Sequence, residues 1–265
     1  MLKKAMLVIT ILLGLYIIIC GIMFLLQEKL IFFPQKLDKH HTFSFRQPFE
    51  EINFKTDDKK NLHGLLFKSD STKGLIFYLH GNAGSLEGWG GVAETYTNLE
   101  YDVFILDYRG YGKSDGAINS EAQLFQDVQV AYNEMLKRYE EDKIIVLGYS
   151  IGTGPATKLA STNKPKLLIL QAPYFSVTDV VKRSFPLIPP FLLKYKLETY
   201  HYITLCNMPI ILFHGDEDEV IYYGSSLKLK ELLKKGDTLI TLSGQTHNNM
   251  TYNPDYIQAI ERILK

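Results

Sequence analysis

The chain has 265 residues and a mass of 30.4 kDa, and its 29 lysines and arginines balance its 29 aspartates and glutamates. A net charge of zero supplies no field to draw in nucleic acid, and a 46% hydrophobic, 12% aromatic chain is neither disordered, collagen-like nor a coiled coil. Two cysteines, Cys20 and Cys206, are too few for a disulfide framework or a cysteine-built zinc site.

From Ala5 to Leu26 no charged residue occurs. At a rise of ~1.5 Å per residue that stretch reaches the roughly 30 Å of a bilayer core. Lys3 and Lys4 precede it, and Gln27, Glu28 and Lys29 close it. A cleaved signal peptide has a shorter apolar run and a small-x-small cleavage site, neither of which stands here. A lipoprotein signal needs a small residue before Cys20, where Ile19 stands, and a buried core helix carries a polar stripe. The segment reads as an uncleaved transmembrane anchor. Residues 1–33 are then anchor and flank, and 34–265 the folded domain. Lys3, Lys4 and the α-amino group favour a cytoplasmic N-terminus with the domain outside. In this reading the anchor supplies location and the domain supplies chemistry.

Strand-length apolar runs follow at Glu51–Lys55, Leu62–Lys68, Leu75–Leu79, Val103–Leu106, Ile144–Leu147, Leu167–Leu170, Ile210–Phe213 and Leu239–Leu242. The first two alternate and lie close together, which predicts an antiparallel edge hairpin. From Leu75 on the runs are nearly continuous, as in strands buried on both faces of a parallel sheet. Helical spacing marks Ala122–Tyr139, Thr153–Ala160, Ser225–Lys235 and Asp255–Leu264. The alternation predicts a doubly wound α/β fold with eight strands. Residues 175–207 form an apolar, proline-rich insert between two strands, expected to lie over the site as a small cap.

In such sheets ligands bind beyond the carboxyl ends of the strands. Gly148-Tyr149-Ser150-Ile151-Gly152 lies between a buried strand and a helix. That is the context in which G-x-S-x-G forms a tight elbow presenting a serine nucleophile, here Ser150. A serine hydroxyl needs a base. Of seven histidines, His247 stands in the loop after the last strand and is the candidate; His80 and His214 end strands as His-Gly and are expected to pack beneath their loops. The acid that orients the imidazole is sought in His214-Gly215-Asp216-Glu217-Asp218-Glu219. Asp218 is the candidate, with Asp179 as its rival outside that stretch. The glycines of His80-Gly81-Asn82-Ala83-Gly84 allow backbone N–H groups to converge on an oxyanion, and the N–H groups of Asn82 and Ile151 are assigned to it. No Walker or dinucleotide glycine pattern and no His-x-x-x-His pair occurs, so the expected chemistry needs no cofactor and no metal.

These motifs, with Asp107-Tyr108-Arg109-Gly110-Tyr111-Gly112, together resemble the α/β-hydrolase superfamily over essentially the whole chain. Gln27-Glu28-Lys29-Leu30-Ile31-Phe32-Phe33-Pro34 after an apolar run resembles its membrane-anchored group in particular. The order Ser150, Asp218, His247 is that of the superfamily. Where the family often has Gly or Ala before the histidine, this chain has Thr246. The resemblance implies a serine hydrolase acting on acyl esters or thioesters of small molecules, lipids or acylated proteins at a membrane. The group includes enzymes that remove palmitate from proteins and others that act on monoacylglycerols, and it often carries a serine aminopeptidase label. A peptidase and a non-catalytic membrane-anchored scaffold are the rival readings.

Overall fold

The computed structural model describes all 265 residues. Helix α1 (Leu2–Leu25) is apolar all round from Ala5 on, and only Cys20 of its side chains is buried. With a mean hydropathy of 2.8 it is long and apolar enough to cross a membrane. A short helix α2 (Gln27–Ile31) follows at once. The strands are β1 (Phe33–Pro34), β2 (Phe49–Lys55), β3 (Asn61–Phe67), β4 (Leu75–Leu79), β5 (Ala83–Gly84), β6 (Asp102–Asp107), β7 (Ile144–Tyr149), β8 (Leu167–Gln171), β9 (Ile210–Gly215) and β10 (Thr238–Leu242). The remaining helices are α3 (Leu86–Trp89), α4 (Ala93–Thr97), α5 (Glu121–Leu136), α6 (Thr153–Thr162), α7 (Val177–Ser184), α8 (Thr199–Ile203), α9 (Gly224–Lys230) and α10 (Pro254–Leu264).

Eight strands form one sheet in the order β10-β9-β8-β7-β4-β6-β3-β2. The pairs β2–β3 and β3–β6 are antiparallel, and every other pair in this sheet is parallel. The predicted edge hairpin is thus present, and β2 ends the sheet. This is the α/β-hydrolase fold. Along β4, Phe77 packs on one face with Phe104, Tyr132 and Val146, while Tyr78 packs on the other with Tyr96, Leu147 and Tyr256. Burial on both faces is why these strands read as unbroken apolar runs. Serine and asparagine caps start two of the helices on the sheet and α7 of the insert. Ser120 accepts from the Gln123 N–H, Ser176 from that of Asp179, and Asn253 from those of Asp255 and Tyr256.

Two features escape the sequence pattern. The first is α3 with α4, interrupted by Gly88, Gly90 and Gly91, which lower helical propensity. Gly90 is required there, because a Cβ would lie 2.3 Å from the Phe45 ring. The second is a separate parallel pair, β1 with β5, which sets Phe33 opposite Ala83 and Pro34 opposite Gly84. Two-residue strands leave no periodic signature, yet this pair ties the segment after α1 to the loop after β4.

Candidate active site

The carboxyl ends of β4, β7, β9 and β10 converge on one cavity. At the end of β7 the chain turns through Ser150 with φ of +51°, a left-handed conformation that costs a non-glycine residue about 1–2 kcal/mol. The flanking glycines make that turn possible. A Cβ on Gly148 would lie 2.6 Å from the Gly152 carbonyl oxygen, and one on Gly152 would lie 2.2 Å from that of Leu79. A single 3₁₀ turn, Ser150–Gly152, then feeds α6. Ser150 is held 7% exposed at the floor of the cavity.

Ser150 Oγ lies 3.0 Å from His247 Nε2, and His247 Nδ1 donates to Asp218 Oδ2 at 2.8 Å. The other oxygen of Asp218 accepts the backbone N–H groups of Val220 (2.9 Å) and Ile221 (2.8 Å). Burial opposes the charge of this carboxylate. Hydrogen bonds from His214 and His247, the nearby His247 ring and the Ile221 N–H outweigh it, so the Asp218 carboxyl is held well below the usual carboxylate range. The other acids of the turn do different work. Asp216 accepts the Gly244 N–H at 2.7 Å, and Glu219 accepts the His247 backbone N–H at 3.2 Å. Asp179 lies on α7, where it accepts the Tyr222 hydroxyl and the Lys228 ammonium, each at 2.6 Å.

The loop carrying His247 is braced from several sides. The Tyr149 hydroxyl donates to the His247 carbonyl, so the residue before the nucleophile grips the backbone of the base. Gln245 Nε2 donates to the carbonyls of Thr246 (2.8 Å) and Asn248 (2.7 Å). Gly215 lies so close that a Cβ would sit 1.9 Å from the Gln245 carbonyl oxygen. The Tyr149 contact joins residues 98 apart in sequence, and no local pattern announces it.

In the lining of the same cavity, the backbone N–H groups of Asn82 and Ile151 donate to no protein acceptor. Tyr111 fixes the Asn82 peptide by donating to its carbonyl at 2.7 Å, and the Phe33 N–H donates to Asn82 Oδ1 at 3.3 Å. His80 packs beneath the loop as expected, its Nδ1 2.7 Å from the Gly81 carbonyl and its carbonyl accepting from Tyr108 at 2.9 Å. Burial holds the His80 ring below the ordinary histidine pKa. Arg109 is structural, paired with Asp127 and Asp58 away from the cavity.

The cavity above Ser150 measures about 370 Å³ and has mostly apolar walls. From the insert, α7 contributes Val177, Val180 and Val181, and from the segment after α1 come Leu30 and Ile31. Two expectations change here. The segment between α1 and the sheet does more than locate the domain, because it walls the cavity and bonds the Asn82 loop. The tip of the insert, in contrast, is neither core nor cavity wall: Phe185, Leu187 and Phe191 are 57%, 78% and 81% exposed. The valines line the cavity because α7 is strongly two-faced, with Lys182 and Arg183 turned outward.

Comparison with known proteins gives a consistent picture. The family described as serine aminopeptidase, S33, matches residues 70–205. The match takes in the Asn82 loop and the Ser150 elbow but ends before Asp218 and His247. Protein bem46 of Schizosaccharomyces pombe is 28% identical over 233 residues, covering 83% of this chain and 78% of that protein. Alpha/beta hydrolase domain-containing protein 17C of Xenopus tropicalis is 28% identical over 202 residues, covering 74% of this chain and 63% of its own length. Among solved structures, an esterase from Pyrococcus furiosus superposes with a TM-score of 0.70 at 17% identity, over 88% of this chain and 97% of that one. Est1E from Butyrivibrio proteoclasticus, with ferulic acid bound, gives 0.66 at 19%, over 81% and 96%. At such identities these structures speak to the fold.

Proposed function

The chain belongs to the family described as serine aminopeptidase, S33; from that premise we propose that it is a membrane-anchored serine hydrolase of the esterase-like type, cleaving acyl esters or thioesters through an acyl-enzyme on Ser150. The observation that carries this reading is the relay from Ser150 Oγ to His247 Nε2 at 3.0 Å and from His247 Nδ1 to Asp218 at 2.8 Å, set on a strained elbow. Ser150 Oγ attacks the acyl carbonyl as His247 Nε2 takes its proton. The oxyanion that forms faces the unpaired N–H groups of Asn82 and Ile151, each worth about 3 kcal/mol in the transition state. His247 then returns the proton to the departing alcohol or thiol, and water, activated by the same imidazole, releases the acid.

The cavity favours an acyl chain over a peptide. Its walls carry no carboxylate that could hold a charged amino terminus, whereas Leu30, Ile31, Val177, Val180 and Val181 form an apolar lining. The substrates that fit are acyl-bearing small molecules, lipids or acylated proteins. A panel of esters, thioesters and peptides of graded acyl length tests this on the detergent-solubilised chain. Medium-chain esters and thioesters are expected to be cleaved and peptides left intact; preferential peptide cleavage would overturn the reading. In the same panel, Leu30→Ala combined with Ile31→Ala removes about two methylenes' worth of contact, near 0.8 kcal/mol each, so KM for an octanoyl ester should rise about tenfold. Acetyl ester turnover should hardly change. Equal loss on both substrates would show that these residues support the loop rather than the chain of the substrate.

We place α1 across the membrane with its N-terminus in the cytoplasm and the hydrolase domain outside, on the strength of Lys3 and Lys4. Protease added to intact cells is expected to remove the domain. Cleavage only after the cytoplasmic side is opened would reverse the orientation.

A further inference from the structure

Ten residues of the insert, Ser184–Leu193, contain no charge and three prolines, and they run back along α1 instead of covering the site. The Tyr16 hydroxyl donates to the Leu187 carbonyl at 2.7 Å. Gln27, eleven residues later in the chain, donates to the Leu192 carbonyl at 3.0 Å and accepts the Lys194 N–H at 2.7 Å. The insert therefore lies beside the C-terminal part of α1, between Tyr16 and the start of α2. Cys20, the one buried side chain of α1, lies on the stripe between these contacts. The charges keep the same register. Lys194, the first after the tip, lies 4.7 Å over the Phe24 ring and 3.1 Å from Glu28, where the apolar run of α1 ends.

We propose that this tip is embedded in the leaflet next to the hydrolase domain, packed beside α1, so that the cavity above Ser150 opens toward lipid. The inference rests on α1 being a membrane span. Backbone in hydrocarbon must satisfy its polar groups internally, and this segment does so in part. Pro186, Pro189 and Pro190 carry no N–H. The N–H groups of Phe185, Ile188, Leu192 and Leu193 donate to the carbonyls of Val181, Phe185, Pro189 and Pro190. The carbonyls of Leu187 and Leu192 are taken by Tyr16 and Gln27. The N–H groups of Leu187 and Phe191 and the carbonyls of Ser184, Pro186, Ile188, Phe191 and Leu193 have no protein partner. The same stretch exposes Phe185, Leu187 and Phe191, which in water would form an uncovered apolar patch. The tip follows directly on α7, whose valines wall the cavity, so an acyl chain leaving the leaflet would meet Val180 and Val181 without crossing water.

Depth-dependent quenching tests this on the full chain in bilayers of phosphatidylcholine brominated along its acyl chains. Leu187→Trp and Phe191→Trp place reporters on side chains that are already exposed. Ile17→Trp reports the span itself, Lys137→Trp at the far end of α5 reports the aqueous side, and the emission of the native Trp89 is subtracted with the unsubstituted chain. Both tip tryptophans are expected to lose fluorescence as Ile17→Trp does, while Lys137→Trp keeps it. If either tip position stays as bright as Lys137→Trp while Ile17→Trp is quenched, the span stands and the embedded tip is wrong. If Ile17→Trp is itself unquenched, the membrane anchor fails and the embedded tip fails with it.

Discussion

Ser150→Ala is expected to reduce ester and thioester turnover by about 10⁴-fold or more, the scale seen when a nucleophile is removed from a working triad. Covalent capture of the chain by a fluorophosphonate probe should vanish with it. The fold should survive. The substitution deletes one hydroxyl from a residue already 7% exposed, and the hydrogen bond it gives up to His247 is worth about 1 kcal/mol. Alanine is as strained as serine at a φ of +51°, so no compensating relief of the elbow is expected. The remaining groups, the N–H donors of Asn82 and Ile151 and the cavity, would still bind substrate. The loss should therefore fall on kcat, with KM little changed. A folded variant that hydrolyses esters as the unsubstituted chain does would remove Ser150 from the mechanism. If the unsubstituted chain itself showed neither turnover nor capture, the non-catalytic scaffold would become the better reading.

What the sequence made legible follows the periodicity of its elements. The parallel strands were readable because burial on both faces leaves continuous apolar runs, and Ser150 because a tight strand–helix elbow demands glycine at 148 and 152. His247 and Asp218 were readable as positions at the ends of the last two strands, with Asp218 set above Asp216 by its spacing from Gly215 and from the apolar Val220 and Ile221. The fold turns one carboxylate to the imidazole and the other to the Gly244 N–H. The contacts that hold the site from a distance were not legible. The grip of Tyr149 on the His247 carbonyl and the bond from the Phe33 N–H to Asn82 join segments far apart in the chain. The insert misled for a related reason. Its composition announced an apolar element, but composition cannot tell a wall from a tip. The amphipathic turn of α7 faces Val180 and Val181 to the cavity, and the prolines carry Leu187 and Phe191 away from it.

The second large effect is expected at Asp218. Asp218→Asn keeps size and shape, and its amide oxygen can still accept the N–H groups of Val220 and Ile221 that now bind Oδ1. That leaves the amide nitrogen, a donor, facing His247 Nδ1, which now donates to Oδ2 at 2.8 Å. Two donors cannot face each other, so the ring must move its proton to Nε2 or turn away. In either case Nε2 can no longer accept the proton of Ser150 Oγ. The imidazolium formed during attack also loses its buried counter-charge. In the unsubstituted chain that carboxylate is held well below its ordinary range, so the counter-charge is present around neutral pH. Turnover should fall by about 10⁴-fold. Asp216→Asn should cost less than tenfold, because that residue only accepts the Gly244 N–H. Asp179→Asn should behave likewise, since its partners are Tyr222 and Lys228 and not the imidazole. Steady-state rates on one short ester across the three variants decide the matter: comparable losses at all three positions, or the largest at Asp179, would show that Asp218 does not orient His247.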